Sequence, residues 1–496
     1  MKATREKSSR TWQLGLPAIM MMVAATSGSP GVARADAQDL IIPCADFEYS
    51  YAAKPGEVIS PTDIETNKDA YWEFTNSGGN LACTGASPYT CAGLTVTVPA
   101  PDVIHPSATK TTITGTAAGL GEQDQFSLKT TDAADTSKTC KGTYLFRVTA
   151  NGGGWGEPHL NTVNGMHYDF QSAGEFTALR EDRLEIQTRQ TAVPTATVPV
   201  NGCVAVYTAV AARVGSSRVT LQPNPNVEES RNGMELRVNG KLVQLSDAGI
   251  VLSANSSTSG KATGGIDGHI RKAANGAIEI IDARGTQLVA TPLFWGGPNI
   301  WYLNVNVYQT SATRGTMGVV PEGSWIPALP DGTSLGPMPE STDQRYQDLY
   351  EKFADAWRVT DTTSLFDYAP GTNTATFTLD EWPRNSPQSC DLAGQTSVQP
   401  ATEAVAQAAC AAVTDSVQKA DCVYDVKVTG HQGFGKSYEI MQAFKPIGTG
   451  TWYSPAPPTV TQPPSTDGGW AELLKKWWWL ILVLILILLF LLFRKK

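Results

Sequence analysis

Trp155-Gly156-Glu157-Pro158-His159-Leu160-Asn161-Thr162-Val163-Asn164-Gly165-Met166-His167-Tyr168-Asp169-Phe170 is the stretch that decides how the rest of the chain is read. Gly156-Glu157-Pro158 predicts a tight turn, because glycine accepts positive φ and proline fixes its own φ. A short strand follows. Asn164-Gly165 is a pair favoured where a hairpin turn needs positive φ, and the return strand carries Tyr168 and Phe170. The stretch therefore predicts antiparallel β structure. Asn151-Gly152-Gly153-Gly154, just before it, reads as a domain boundary.

Strand patterns continue on the C-terminal side. They cover Leu184 to Thr188, Val204 to Val214, Val219 to Gln222, Glu235 to Val238, Leu242 to Leu245, Ile278 to Asp282 and Ile300 to Val307. Residues 151–330 are expected to form one antiparallel β domain. On the N-terminal side, residues 36–150 read as a β-rich, sandwich-like domain. Leu94 to Val98 alternates as a half-buried strand does, and Thr111 to Thr116, Gln125 to Leu128 and Thr143 to Thr149 are further short strands. Residues 331–452 change character. Asp343 to Val359 predicts an amphipathic helix with Tyr346, Leu349, Tyr350, Phe353 and Trp357 as a packing stripe. Thr402 to Val417 predicts an alanine-rich helix carrying Cys410, and Val423 to Val428 a strand. This helical, cysteine-containing region is expected to dock on the β domain through disulfides.

Both ends carry address-like signals. Residues 1–35 combine Lys2, Arg5, Lys7 and Arg10 with an apolar run from Leu14 to Ala25 and small residues at Ala33 and Ala35. That is the pattern of a secretory signal peptide, with cleavage expected after Ala35 or, second, Ala37. Tyr453 to Gly469 is proline-rich and predicts a semi-rigid stalk over residues 453–469. Residues 470–496 hold an uncharged apolar run from Trp477 to Phe493, with Trp477-Trp478-Trp479 at one edge and Arg494-Lys495-Lys496 at the other. They predict a single transmembrane helix and a basic cytoplasmic tail, leaving the bulk of the chain outside. A processed sorting signal is the alternative for this segment, but no Leu-Pro-x-Thr-Gly motif accompanies it.

The formal charge is −9, and since both ends are basic the part between them is more acidic still. Such a surface argues against nucleic acid as a partner. Eight cysteines, Cys44, Cys83, Cys91, Cys140, Cys203, Cys390, Cys410 and Cys422, all follow the signal. In an exported chain an even set reads as disulfides. The first four are expected to pair among themselves, and the last four likewise. None is spaced as in a zinc ribbon.

The run from Trp155 to Phe170 resembles the opening signature of the von Willebrand factor type D family, which reads Gly-Asp-Pro-His, then Thr-Phe-Asp-Gly, then Tyr-x-Phe. Gly156, Pro158, His159, Thr162, Gly165, Tyr168 and Phe170 match it at the same spacing. Ala209 to Leu221 is similar to the family's central strands. The likeness covers residues 151–330 and extends loosely to Cys422-Val423-Tyr424-Asp425-Val426. It implies an antiparallel β module for adhesion or protein contact. Some family members cleave themselves at the Asp-Pro bond. Glu157 stands in place of that Asp and lacks the short carboxylate that attacks its own carbonyl, so no self-cleavage is expected. The likeness also implies calcium, for which Asn164 and Glu322 are the candidate ligands and Ser324 a weaker one. The family's early cysteine is replaced by Ala173-Gly174-Glu175, so the disulfide pattern differs.

No Gly-x-Ser-x-Gly elbow, Walker loop or dinucleotide fingerprint is expected in the chain, which is read as a non-enzyme. His159 and His167 lie eight residues apart on neighbouring strands and are not taken as a metal pair. The leading expectation is a bacterial, membrane-anchored envelope protein that presents a D-type module to an unidentified protein or surface partner. A self-cleaving or hydrolytic envelope module is the first alternative. A structural envelope scaffold without a specific ligand is the second.

Overall fold

The computed structural model describes residues 47–65, 70–79, 88–91, 93–97, 110–193, 204–226, 233–253, 266–273, 275–383 and 400–446. The signal, stalk and transmembrane assignments lie outside these residues, as do Cys44, Cys83, Cys203 and Cys390. Among the described residues no helix is long and apolar enough to cross a membrane.

The N-terminal part is built from β1 (Phe47–Ala53), β2 (Val58–Glu65), β3 (Ala70–Gly79), β4 (Tyr89–Cys91), β5 (Leu94–Thr97), β6 (Lys110–Thr116), β7 (Gln123–Asp132) and β8 (Thr139–Val148). Two four-stranded sheets form, in the orders β1-β8-β7-β3 and β2-β6-β5-β4. All pairings are antiparallel except that of β1 with β8. Alternation decides the packing: Leu94 and Val96 are buried on one face of β5, and with Ile113 they share a core with Phe126, Leu128, Tyr144 and Phe146 of the other sheet. The expectation of β-rich structure in this region is met.

The next fourteen strands are β9 (Ala150–Trp155), β10 (His159–Asn161), β11 (His167–Asp169), β12 (Gly174–Arg180), β13 (Leu184–Val193), β14 (Val204–Val214), β15 (Ser217–Pro223), β16 (Met234–Val238), β17 (Lys241–Leu242), β18 (Ile250–Ser253), β19 (Ile266–Lys272), β20 (Ile278–Asp282), β21 (Gln287–Trp295) and β22 (Ile300–Thr310). They make an eight-stranded sheet, β11-β10-β9-β22-β21-β20-β19-β18, and a six-stranded meander from β12 to β17. Ile186, Val210, Ala212 and Leu221 of the meander share a core with Leu288, Ala290, Leu303, Val305 and Val307 of the larger sheet. Both sheets are antiparallel throughout.

Gly152-Gly153-Gly154 falls where the strands pass from the N-terminal sheets to the next one, and it is itself part of β9, an interior strand between β10 and β22. The glycines are needed there because a Cβ at Gly153 would meet the Asn306 side chain, and one at Gly154 the Tyr207 ring. One sequence reading is corrected here. The pairing at Leu242 stops after two residues, so the strand expected to Leu245 is only Lys241–Leu242.

β14 is apolar along nearly its whole length because it is buried on both faces. Val210 and Ala212 face the core, while Ala209 and Ala211 meet Phe366, and Ala205 meets Trp382. The 360–382 segment is held there by a buried ion pair. Arg189 Nε donates to Glu175 Oε1 at 2.8 Å, and Nη2 lies 2.7 Å from the same oxygen without an aligned hydrogen bond. Tyr368 donates to the other Glu175 oxygen, and the guanidinium stacks 3.6 Å from the Phe377 ring centre.

The predicted helix over Asp343 to Val359 is present as α1 (Thr342–Tyr346), a π-helical segment (Gln347–Phe353) and α2 (Ala354–Trp357). Leu349, Phe353 and Trp357 enter the β core, Phe353 against Phe170 and Tyr168. Beyond residue 400 come α3 (Glu403–Ala409), α4 (Ser416–Thr429) and α5 (Gly433–Ala443). The helix expected over Thr402 to Val417 ends at Cys410. The strand expected over Val423 to Val428 is instead the second half of α4. Asp415 caps that helix by accepting from Gln418 N, and Gly430, at φ +68°, ends it. Cys410 and Cys422 are joined by a disulfide, within the C-terminal group of cysteines, and Cys140 is also disulfide-bonded.

Two histidines in this scaffold are held neutral. Burial, and then Arg271, push His269 of β19 down to about 4; burial pushes His431, stacked on Trp295 between α4 and α5, to about 4 as well. In the unfolded chain each would titrate near 6.5. Below that value the unfolded state binds the extra protons, so this stability is complete above pH 6.5 and lost as pH falls toward 4. Urea unfolding is expected to show the wild type losing on the order of 2 kcal/mol more between pH 7.5 and 5 than a His269→Gln/His431→Gln variant. Equal losses in the two proteins would refute the assignment.

Candidate functional site

The register of three strands builds one polar row. Trp155 of β9 lies directly opposite His159 of β10, which lies opposite Asp169 of β11; His167 sits two residues from Asp169 and shares its face. The alternating residues Leu160 and Tyr168 point the other way, into the β core. The pleat thus sends apolar side chains to one side and imidazoles and a carboxylate to the other. Gly165, at φ +81°, closes the hairpin, with Gly165 N donating to Thr162 O.

α4 covers the polar face. Asp421 and Asp425 are one helical turn apart, so both point at the row. His159 bridges two carboxylates: Nδ1 lies 2.6 Å from Asp169 Oδ1, and Nε2 lies 2.8 Å from Asp425 Oδ1. Tyr438 of α5 donates to Asp425 Oδ2 at 2.9 Å. Trp155 Nε1 donates to Asp421 Oδ2 at 3.1 Å, and His167 Nε2 lies 3.4 Å from Asp421 Oδ1. Around this polar centre Trp155, Val204, Val206 and Tyr302 pack with Cys422, Val426, Phe434 and Met441. Gly156 completes the fit. Its φ is +60°, its N donates to Asn304 Oδ1 at 3.2 Å, and a Cβ would overlap Asp425 Oδ2.

The electrostatics follow from burial. Glu157 is 1% exposed, and its Oε1 has no hydrogen-bond partner. Burial, and then the negative charge of Asp425, hold its carboxyl well above the usual range. Burial alone would lower His159, but the charge of Asp425 and the hydrogen bonds to Asp169 and Asp425 outweigh it and raise the imidazole well above its ordinary value. Burial raises Asp425 while the neighbouring His159 draws it back; burial would also raise Asp169, which His159 pulls below its usual value. The hub therefore holds an imidazole between two carboxylates that favour its charged form, with a carboxyl behind it whose charged form burial disfavours.

No protein-family model and no curated protein matches this chain.

The positions singled out in the sequence fall in different places. His159 and His167, set aside as a metal pair, share the hub: with Asp421 they offer three ligating atoms within 4.8 Å of one another. Asn164 lies at the hairpin turn. Its Oδ1 accepts from Val320 N at 3.0 Å and from Thr162 Oγ1 at 3.0 Å, while Nδ2 donates to Val320 O at 2.9 Å. Both lone pairs of that oxygen are engaged, so the side chain staples the 318–325 loop to the hairpin by itself. Glu322 is exposed on that loop, and Ser324 Oγ donates to Ile326 O at 2.9 Å. The side chain of Cys91 is outside the described residues.

Contrary to the expectation that no such motif is present, two stretches carry the letters of enzyme motifs. Gly332-Thr333-Ser334-Leu335-Gly336 spells a nucleophile elbow, but it lies in a loop, and Ser334 Oγ accepts from Gly336 N at 3.1 Å. An elbow needs a strand-to-helix turn. Gly430 to Ser437 spells a Walker loop, but it joins helix α4 to helix α5. Ser437 is buried with its Oγ donating to Phe434 O, and Lys436 pairs with Glu439. A phosphate cradle needs a strand before the loop.

Proposed function

We propose that this chain is a non-catalytic interaction module of the cell envelope, exported by its N-terminal signal and carried on a stalk above a C-terminal membrane helix. The observation that carries this reading is the hub itself. It spends Trp155, His159 and His167 on locking a helical cap to the β sheets through Asp421 and Asp425, and the Cys410–Cys422 disulfide braces that cap. A head fastened in this way is rigid, which suits presentation of a binding surface: a preorganised surface loses little entropy on contact. The likeness of residues 151–330 to type D modules, the acidic surface and the proline-rich segment support the same reading. The partner is then a protein or a surface outside the membrane, and nucleic acid is disfavoured.

Protease shaving of intact cells tests it. Released peptides from residues 36–469 are expected. Protection until the outer envelope is permeabilised would move the protein to an internal space and replace adhesion by an internal scaffold role.

One observation favours a second reading, self-processing at Glu157-Pro158: a buried carboxyl with an unpartnered oxygen beside a proline peptide. Its neutral form is a poor nucleophile, and its longer side chain would have to close a six-membered ring. Mass spectrometry of the purified chain is expected to find the bond intact. A fragment ending at Glu157, and absent from a Glu157→Ala variant, would overturn this.

A further inference from the structure

We propose that His159, His167 and Asp421 form a binding site for a divalent transition-metal ion of the zinc type. The three groups come from β10, β11 and α4, so the site exists only where the helical cap meets the sheet. Their ligating atoms converge: His167 Nε2 is 3.4 Å and His159 Nδ1 is 4.0 Å from Asp421 Oδ1, and all three lie within 4.8 Å of one another. Zinc bonds of 2.0–2.1 Å in a tetrahedron require ligand atoms roughly 3.3–3.5 Å apart. One edge already has that length, a second must close by about half an ångström, and the third by at most about 1.5 Å to reach it.

The surroundings are those of a built site rather than a chance meeting of side chains. A metal-bound imidazole needs its second ring nitrogen held by a carboxylate or carbonyl. His159 Nε2 has Asp425 Oδ1 at 2.8 Å, and Tyr438 anchors that carboxylate in turn at 2.9 Å. A single carboxylate ligand needs its other oxygen fixed. Trp155 Nε1 fixes Asp421 Oδ2 at 3.1 Å and leaves Oδ1 turned toward the imidazoles. The fourth position also has a candidate. Asp169 Oδ1 lies 2.6 Å from His159 Nδ1, and its side chain is 62% exposed, so it can swing from the imidazole onto an ion or give way to water. Entry is open on the same side, where the His167 side chain is 30% exposed.

Two imidazoles and a carboxylate select the ion. Calcium and magnesium take oxygen ligands, whereas zinc and its neighbours accept nitrogen and oxygen together. This site is also separate from Asn164 and Glu322, the pair that type D likeness suggests for calcium. In the metal-bound form Nδ1 of His159 gives up its proton and its contact to Asp169, and the ion takes over that bridging role.

The test uses untagged full-length chain in detergent, stripped with chelator and titrated with zinc against a chromophoric competitor. One saturable equivalent is expected, with calcium at the same concentration giving none. His167→Ala, at a partly exposed position, is expected to weaken zinc binding 10–100-fold or more. Zinc is also expected to slow imidazole C2 proton exchange at His159 and His167 in the wild type and to leave His269 and His431 unchanged. That readout needs no variant and stands if His167→Ala does not fold. The proposal fails if no saturable equivalent binds, if His167→Ala binds zinc as tightly as wild type, or if exchange at the two histidines ignores zinc.

Discussion

Glu175→Ala is expected to destabilise the protein by about 3–5 kcal/mol, the usual cost of breaking a buried ion pair by deleting one partner. The loss of packing is the smaller part. Arg189, whose side chain is 4% exposed, would keep a charge that its aromatic neighbours Phe366 and Phe377 cannot neutralise. Tyr368 and Ser364 would lose their acceptor as well. Because the pair pins the 360–382 segment over β14, limited proteolysis of the variant should cut there first. Replacing both partners with methionine removes the uncompensated charge and is expected to recover most of the loss. Urea midpoints decide the matter. A double variant no more stable than Glu175→Ala would mean that shape, not charge, sets the cost.

Gly156→Ala carries the second large effect, about 2–4 kcal/mol, from left-handed backbone strain together with overpacking. At Gly156 the φ of +60° and the Asp425 carboxylate both exclude a methyl group. Relief would require Asp425 to retreat, and with it the bonds to His159 and Tyr438. Gly165→Ala is the matched control. Its φ is +81°, yet no atom lies within 4 Å of the added carbon, so it carries the strain alone, about 1 kcal/mol. Near-UV circular dichroism should change for Gly156→Ala, where Trp155 and Tyr438 flank the site, and not for Gly165→Ala. Comparable costs for the two would remove the hub's close packing as an explanation.

The β architecture was legible because its signals are local. Alternation at Leu94 to Thr97, the apolar run of β14 and the Asn164-Gly165 turn each report their own strand. The hub was only half legible. The hairpin places His159, His167 and Asp169 on one face, and that could be counted from the turn. The other half was hidden by one misreading. Val423, Val426 and Val428 are β-branched and suggested a strand, in which Asp421 and Asp425 would carry no special relation. Asp415 three residues before Gln418, and Gly430 at the far end, are helix start and stop signals that outweigh those valines. With them, the four-residue spacing of the two aspartates puts both on one face. No local pattern reports that this face meets a hairpin more than 250 residues earlier. The packing role of the glycine run 152–154 was hidden for a related reason: it lies in Tyr207 and Asn306, which are distant in sequence.

That distance has a consequence for biogenesis. Trp155 and Asp421, like His159 and Asp425, are separated by 266 residues. Contacts of such long range form late, after the intervening chain has paid its loop-closure entropy. The N-terminal sandwich draws its core from residues 51–148 and can complete itself while the rest of the chain is still emerging. Until α4 and α5 arrive, the His159 imidazole of the hairpin and Gly156 lack the Asp425 carboxylate that meets them in the folded head. The last stretch of the folded head to emerge is thus the one that seals the first motif of the central sheets. A chain interrupted before Asp421 would leave Trp155, His159 and His167 without the carboxylates that meet them in the folded head.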